Sequence, residues 1–183
     1  GLHLSFQGNV HRSLILTQEL LRLVNLFKAA QIPVLPFKGP ALAASAFGKL
    51  SLRQTGDLDL LVSPEDLDRA SNLLIQEGYE IDIDLPYERH LVREEYNIDL
   101  HPVVAPKQLV ASLSNEEIWQ NIEQIDLKGT SIDNITPEVT LLILCLHGTK
   151  ECWLKLNRIC DIAELVRYTP LLNWNQVMER SHR

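Results

Sequence analysis

The 183-residue chain contains no apolar run approaching the roughly 20 residues that span a bilayer, so no membrane-crossing helix is expected. It has no excess of positive charge: 17 Lys and Arg against 24 Asp and Glu leave a net charge of −7. That balance argues against long nucleic acid as a partner, although a local basic cleft is compatible with it. Its three cysteines, Cys145, Cys152 and Cys160, cannot all pair within one chain and lie in a helical pattern. They are expected to be reduced thiols of a cytoplasmic protein. With His147 they do not form a C-x₂-C or H-x₃-H clamp, which argues against zinc. There is no internal repeat or low-complexity tract. The opening GLHLSFQGNVHRS lacks a basic segment followed by an apolar one, so no signal peptide is expected.

What is present is the composition of a globular protein, 45% hydrophobic and 22% charged, long enough for one substantial core. Residues 9–31 carry apolar positions at helical spacing, with Asn9 as a cap and Pro33 beyond the end. VLPF (34–37) reads as a short strand entering a Lys38-Gly39-Pro40 turn, and 41–50 as a short helix closing near Gly48. GDLDLLV (56–62) reads as a strand, followed by a helix with Ser63 as N-cap, Pro64 in its first turn and Gly78 at its close. Residues 79–84, 89–94 and 97–104 alternate as strands, the last two joined through Glu95-Tyr96. Ser114 and Glu117 form a capping box before a short helix. IEQIDL and TSIDNI flank a Lys128-Gly129 hairpin turn. Helices are expected at 137–149 and 152–168, with another in the closing stretch. The order predicts an α+β (mixed α/β) fold: a mixed sheet flanked by helices at residues 1–133, then a C-terminal helical segment at 134–183.

Asp57 and Asp59 stand out because carboxylates interrupt an otherwise apolar strand. On a strand, residues i and i+2 share a face with Cα atoms about 6.5–7 Å apart, so the two acids aim together. Two carboxylates about 5 Å apart repel by roughly 3 kcal/mol at an effective dielectric near 20, and a divalent cation would reverse that sign. Oxygen ligands suit Mg²⁺ or Mn²⁺. The alternative is a solvated edge strand with two exposed acids. Against it stand Lys38-Gly39 before a helix, Arg53 four residues ahead of the pair, and Asp99 on a later strand.

FKGPAL (37–42), RQTGDLDLLV (53–62) and IDLH (98–101) together resemble a known pattern. It is that of the uncharacterised bacterial nucleotidyltransferase-like proteins within the DNA-polymerase-β-type nucleotidyltransferase superfamily. The abortive-infection toxin nucleotidyltransferases share a related arrangement. The resemblance spans about residues 15–168 and implies a nucleotidyltransferase-type sheet. It also implies Asp57, Asp59 and Asp99 as catalytic metal ligands for Mg²⁺ or Mn²⁺, with Asp99 helping to activate the attacking hydroxyl. Gly39 would let the backbone approach phosphates, and Lys38 and Arg53 would contact phosphate or orient the acids. Pro40 departs from the superfamily's serine or second glycine and removes an N–H from the turn.

Asp82 and Asp84 also form a D-x-D on a strand, read as solvated because turn-like neighbours and Pro86 adjoin them. His101 shares Asp99's face and is open to three roles: proton acceptor, phosphate contact or structural histidine. His90 is a weaker candidate of the same kind. In CLHGTKECWLKLNRICDIAEL (145–165) the resemblance extends to an H-x-x-K…W…D segment. It implies Lys150 at the triphosphate, Trp153 near the base, and Asp161 anchoring Lys150, Arg158 or Arg53. The alternative is an amphipathic helix pair with its charges in water. The function expected is metal-dependent transfer of a nucleoside monophosphate from an NTP to a hydroxyl on a small molecule, protein or RNA. A catalytically inactive nucleotide-binding regulator, or one half of a toxin–antitoxin pair, is the second reading, and a purely structural interaction domain the third.

Overall fold

The computed structural model of the chain describes residues 2–104 and 113–181, the side chains of residues 2–6 excepted. Its long first helix, α1 (Leu2–Ala29), begins well before Asn9. Asn9 is therefore no cap; its side-chain amide instead donates to the Ser51 carbonyl at 2.7 Å. Strand β1 (Leu35–Pro36) leads into α2 (Gly39–Phe47), which ends at Gly48 in the left-handed conformation. Strand β2 (Leu58–Leu61) and helix α3 (Leu67–Gln76) follow. The Ser63 cap is present, but it opens a 3₁₀ turn at Pro64–Asp66 that precedes the α-helix.

Strands β3 (Glu80–Leu85), β4 (Glu88–Arg93) and β5 (Tyr96–His101) complete a mixed sheet of order β1-β2-β5-β4-β3. Only β2 and β5 run parallel. The β4–β5 turn lies at Glu94-Glu95, not Glu95-Tyr96, because Glu94 takes φ 52° and Tyr96 already pairs with Arg93. Strand β5 stops at His101 rather than residue 104, since Pro102 offers no N–H to continue the ladder. A short helix α4 (Asn115–Trp119), with its capping box, precedes the hairpin β6 (Ile122–Leu127) and β7 (Thr130–Ile135). Lys128 and Gly129 both have positive φ, the pairing a tight two-residue hairpin requires.

Helices α5 (Pro137–Lys150), α6 (Leu156–Tyr168) and α7 (Trp174–Ser181) close the chain. Helix α6 starts four residues later than periodicity suggests. Cys152 and Trp153 adopt φ of 52° and 56°, and Trp153 N–H returns to the Gly148 carbonyl at 2.8 Å, which ends α5.

One face of the sheet, carrying Leu58, Leu60, Leu91, Ile98 and Leu100, is covered by α1 and α3 in the largest core. Full burial of each leucine is worth roughly 1.5–3 kcal/mol, so this layer fixes which strand residues point the other way. On the opposite side, Leu35, Phe37 and Leu61 pack against Val139 and Ile143 of α5. A third cluster joins α2 through Leu42, Ala46 and Phe47 to Leu144, Leu165 and Val177 of the last three helices. The α+β architecture expected from the sequence, a mixed sheet flanked by helices, is present.

Candidate active site

Because Leu58 and Leu60 are pinned into the core, Asp59 faces the other side of the sheet. The parallel β2–β5 register sets Asp59 directly beside Asp99 and Leu61 beside His101. Strand β4 adds His90, the cross-strand neighbour of Asp99, whose Nδ1 touches Asp99 Oδ1. Asp57 lies one residue ahead of β2 and is half-buried. Four of the expected residues, Asp57, Asp59, Asp99 and His101, therefore share one region of the sheet.

Asp59 is buried, and its charge is balanced within the site. Lys38 Nζ donates to its Oδ1 at 2.7 Å, and His101 Nε2 lies 3.3 Å from the same oxygen. Burial alone would raise the Asp59 carboxyl, but the Lys38 ammonium and His101 outweigh it and hold the group well below the usual carboxylate range. Asp57 behaves in the opposite way: burial first, then the charges of Asp59 and Asp99, push its carboxyl upward against the pull of Lys38 and Arg53. Two neighbouring acids driven apart in this manner are what a cation-binding or proton-handling site requires.

Lys38 is the residue preceding α2, and it orients an acid. Gly39 has φ 57°, and a Cβ there would meet the Asp57 carbonyl at 3.3 Å, so the turn lies tight against the start of β2. Pro40 falls in the first turn of α2, where its missing N–H costs the helix nothing. Arg53 is buried and forks onto Asp161, with Nε–Oδ1 2.8 Å and Nη2–Oδ2 2.9 Å. Its other Nη reaches the Gly39 carbonyl at 3.5 Å. Of the three anchors open to Asp161, the structure places Arg53 in that position, tying α6 to the turn before α2.

Lys150 is exposed at the end of α5, its ammonium 5.1 Å from the Tyr87 ring. Trp153 packs its ring against Gly148, where an added Cβ would lie 2.4 Å from it. Asp82 and Asp84 sit on the exposed edge strand β3, and Asp84 is held by Arg89 at 3.0 Å. His147 joins the site unexpectedly. It is buried on α5, bonds the Val104 carbonyl through Nε2 at 2.9 Å, and stacks near Phe37 at 6.0 Å between ring centroids. Burial first, then the nearby Lys38 charge, bring it down to about 3, so it is neutral at physiological pH. The only hint in the sequence is the H-x-x-K pattern, which implies a role for the lysine rather than the histidine.

The donor set fits a divalent cation. Among the described residues, ligand atoms of Asp59, Asp99 and His101 lie within 4.8 Å of one another. His101 Nε2 is buried and has no hydrogen-bond partner, its approach to Asp59 lacking hydrogen-bond geometry. Asp57 is outside this tight group but close enough to feel both other acids.

The model of the uncharacterised nucleotidyltransferase family matches residues 2–183. No curated protein matches the sequence. Similar solved structures include the antibiotic-resistance factor ANT(2'')-Ia in solution, with TM-score 0.70, 12% identity, and coverage of 93% of this chain and 91% of that one. The crystal structure of ANT(2")-Ia in complex with adenylyl-2"-tobramycin gives TM-score 0.71 and 13% identity, covering 92% and 96%. The lincosamide antibiotic adenylyltransferase LnuA, bound to lincomycin, gives 0.62 and 21%, covering 81% and 94%. These likenesses are of fold. No described helix is long and apolar enough to cross a membrane.

Proposed function

The chain belongs to the uncharacterised nucleotidyltransferase family, and from that premise we propose that it moves a nucleoside monophosphate from an NTP to an acceptor hydroxyl at the Asp57–Asp59–Asp99 face. The observation that carries this reading is the β2–β5 register, which sets Asp59 beside Asp99 on one face with Asp57 at its edge. Mg²⁺ or Mn²⁺ held by these acids would supply charge stabilisation of the α-phosphate in the transition state.

The chain's own residues do the rest. Asp99, touched by His90, accepts the proton of the acceptor hydroxyl as its oxygen bonds to the α-phosphorus. The bond from that phosphorus to the bridging oxygen breaks, and pyrophosphate leaves. Lys38 keeps Asp59 ionised, and the Arg53–Asp161 fork holds the Gly39 turn against β2. Two of the similar structures hold an antibiotic or its adenylylated form. With the net charge of −7, that favours a hydroxyl-bearing small molecule over long nucleic acid. The retained acids favour catalysis over a non-catalytic nucleotide-binding role.

Incubation with each α-labelled NTP, a divalent ion and a pool of hydroxyl compounds tests this reading. Labelled monophosphate adducts with pyrophosphate are expected. Nucleoside diphosphate with inorganic phosphate, or unchanged NTP under every condition, would contradict it.

A further inference from the structure

Resting on that reading of the site, we propose that His101 is itself a metal ligand. Asp59, Asp99 and His101 then form a mixed oxygen–nitrogen centre that favours a later first-row transition ion over Mg²⁺ and coordinates Mn²⁺ through nitrogen as well as oxygen. An all-acid set of Asp57, Asp59 and Asp99 would suit Mg²⁺ and Mn²⁺ alike. The structure groups the donors differently, with the imidazole inside the 4.8 Å cluster and Asp57 outside it.

The state of the imidazole carries the inference. His101 is 4% exposed, and its Nε2 has no hydrogen-bond partner although it points at Asp59. A buried polar atom left unsatisfied is uncommon, and a structural histidine would have used that nitrogen. Two features hold the ring in place: the β5 register beside Leu61, and edge contact with Phe37 at 5.0 Å and 76°. A ring so fixed, its Nε2 3.3 Å from Asp59 Oδ1 and within the same 4.8 Å cluster as an Asp99 oxygen, is a preorganised ligand once the imidazole is neutral.

The choice of ion follows from coordination chemistry. Mg²⁺ prefers an octahedral oxygen shell and keeps several waters, whereas imidazole suits later first-row ions. Lys38 reaches Asp59 Oδ1 only, which leaves its second carboxylate oxygen for the ion.

Pulsed electron paramagnetic resonance of the protein loaded with Mn²⁺, with and without nucleotide, reads nitrogen coordination directly and independently of turnover. The unmodified protein should show ¹⁴N coupling to the bound Mn²⁺. His101→Gln should lose the coupling and weaken Mn²⁺ binding by at least the roughly tenfold that loss of an outer-shell partner already costs. His90→Gln should keep the coupling, which excludes the imidazole on Asp99 as its source. Bound Mn²⁺ without ¹⁴N coupling overturns the inference and leaves nucleotidyl transfer at an all-oxygen site standing. Coupling that survives His101→Gln, or is lost in His90→Gln, overturns it too. Failure of any divalent ion to bind, even with nucleotide, overturns both the inference and the reading beneath it.

Discussion

A D-x-D stands at two of the strands, and the two copies have opposite fates. Asp57-Leu58-Asp59 enters an interior strand whose leucines are locked into the main core, so Asp59 is buried and ion-paired beside Asp99 and His101. Asp82-Ile83-Asp84 lies on edge strand β3, exposed throughout, where the register shifts between Ile81 and Ile83. There Asp84 merely pairs with Arg89 at the surface. An acid-apolar-acid strand becomes a site only where the neighbouring strand brings further donors and the opposite layer forbids rotation.

The largest contrast should be in turnover. Asp59→Asn or Asp99→Asn removes several kcal/mol of transition-state charge stabilisation, a loss on the order of 10³-fold in rate. Asp82→Asn/Asp84→Asn should change rate by less than about twofold in the same assay. Equal losses would erase the distinction between the two motifs.

Stability likewise separates a buried ion pair beside the site from the exposed pair on β3. Breaking the buried Arg53–Asp161 fork with Asp161→Ala strands a buried guanidinium and should cost about 3–5 kcal/mol, on the order of 10 °C in Tm. Removing Asp84 from the Arg89 pair should cost at most about 1 kcal/mol.

Lys38→Met adds a pH dependence to the comparison. Asp59 has a depressed folded value, so its pairing contributes fully above the usual carboxylate range and is lost as the pH falls through the folded value. Without Lys38, only His101 is left to oppose burial, and the carboxyl rises. The variant should be about 3 kcal/mol less stable at pH 7, with the gap narrowing towards pH 4 in urea titrations. A gap that stays constant with pH would show that the ammonium does not hold Asp59 ionised.

The smallest effect has the opposite direction. Asp57 is raised by burial and by its fellow acids, so at neutral pH its charge opposes folding. Asp57→Asn should raise Tm by roughly 2–4 °C, about 1 kcal/mol, while reducing turnover. A lowered Tm would mean that Asp57 is already compensated in the ligand-free protein.

Much of this site was legible because strand alternation is local. Asp59 and Asp99 follow from apolar neighbours that bury one face, and the solvated reading of Asp82 and Asp84 follows from the turn beside them. Partners distant in the chain were not legible. Asp161 and Arg53 are 108 residues apart, and nothing in either segment chooses Arg53 over Lys150 or Arg158. The nearness of His101 to Asp59 depends on the parallel β2–β5 register, which periodicity within one strand does not specify. His147 enters only because α5 packs over Phe37. Helix ends were the least legible: α1 runs through Asn9, and Trp153 seats on Gly148 where a helix was expected to begin.

Thermal melting with each NTP and Mg²⁺ or Mn²⁺, run beside Asp59→Asn, tests the central claim most directly. Nucleotide at about 100 times its Kd should stabilise the unmodified protein by about 2.7 kcal/mol, roughly 5–10 °C. The shift should need both nucleotide and divalent ion, and should vanish in the variant. An equal shift in Asp59→Asn, or none with any nucleotide, would contradict the assignment of this carboxylate face as the nucleotidyl-transfer site.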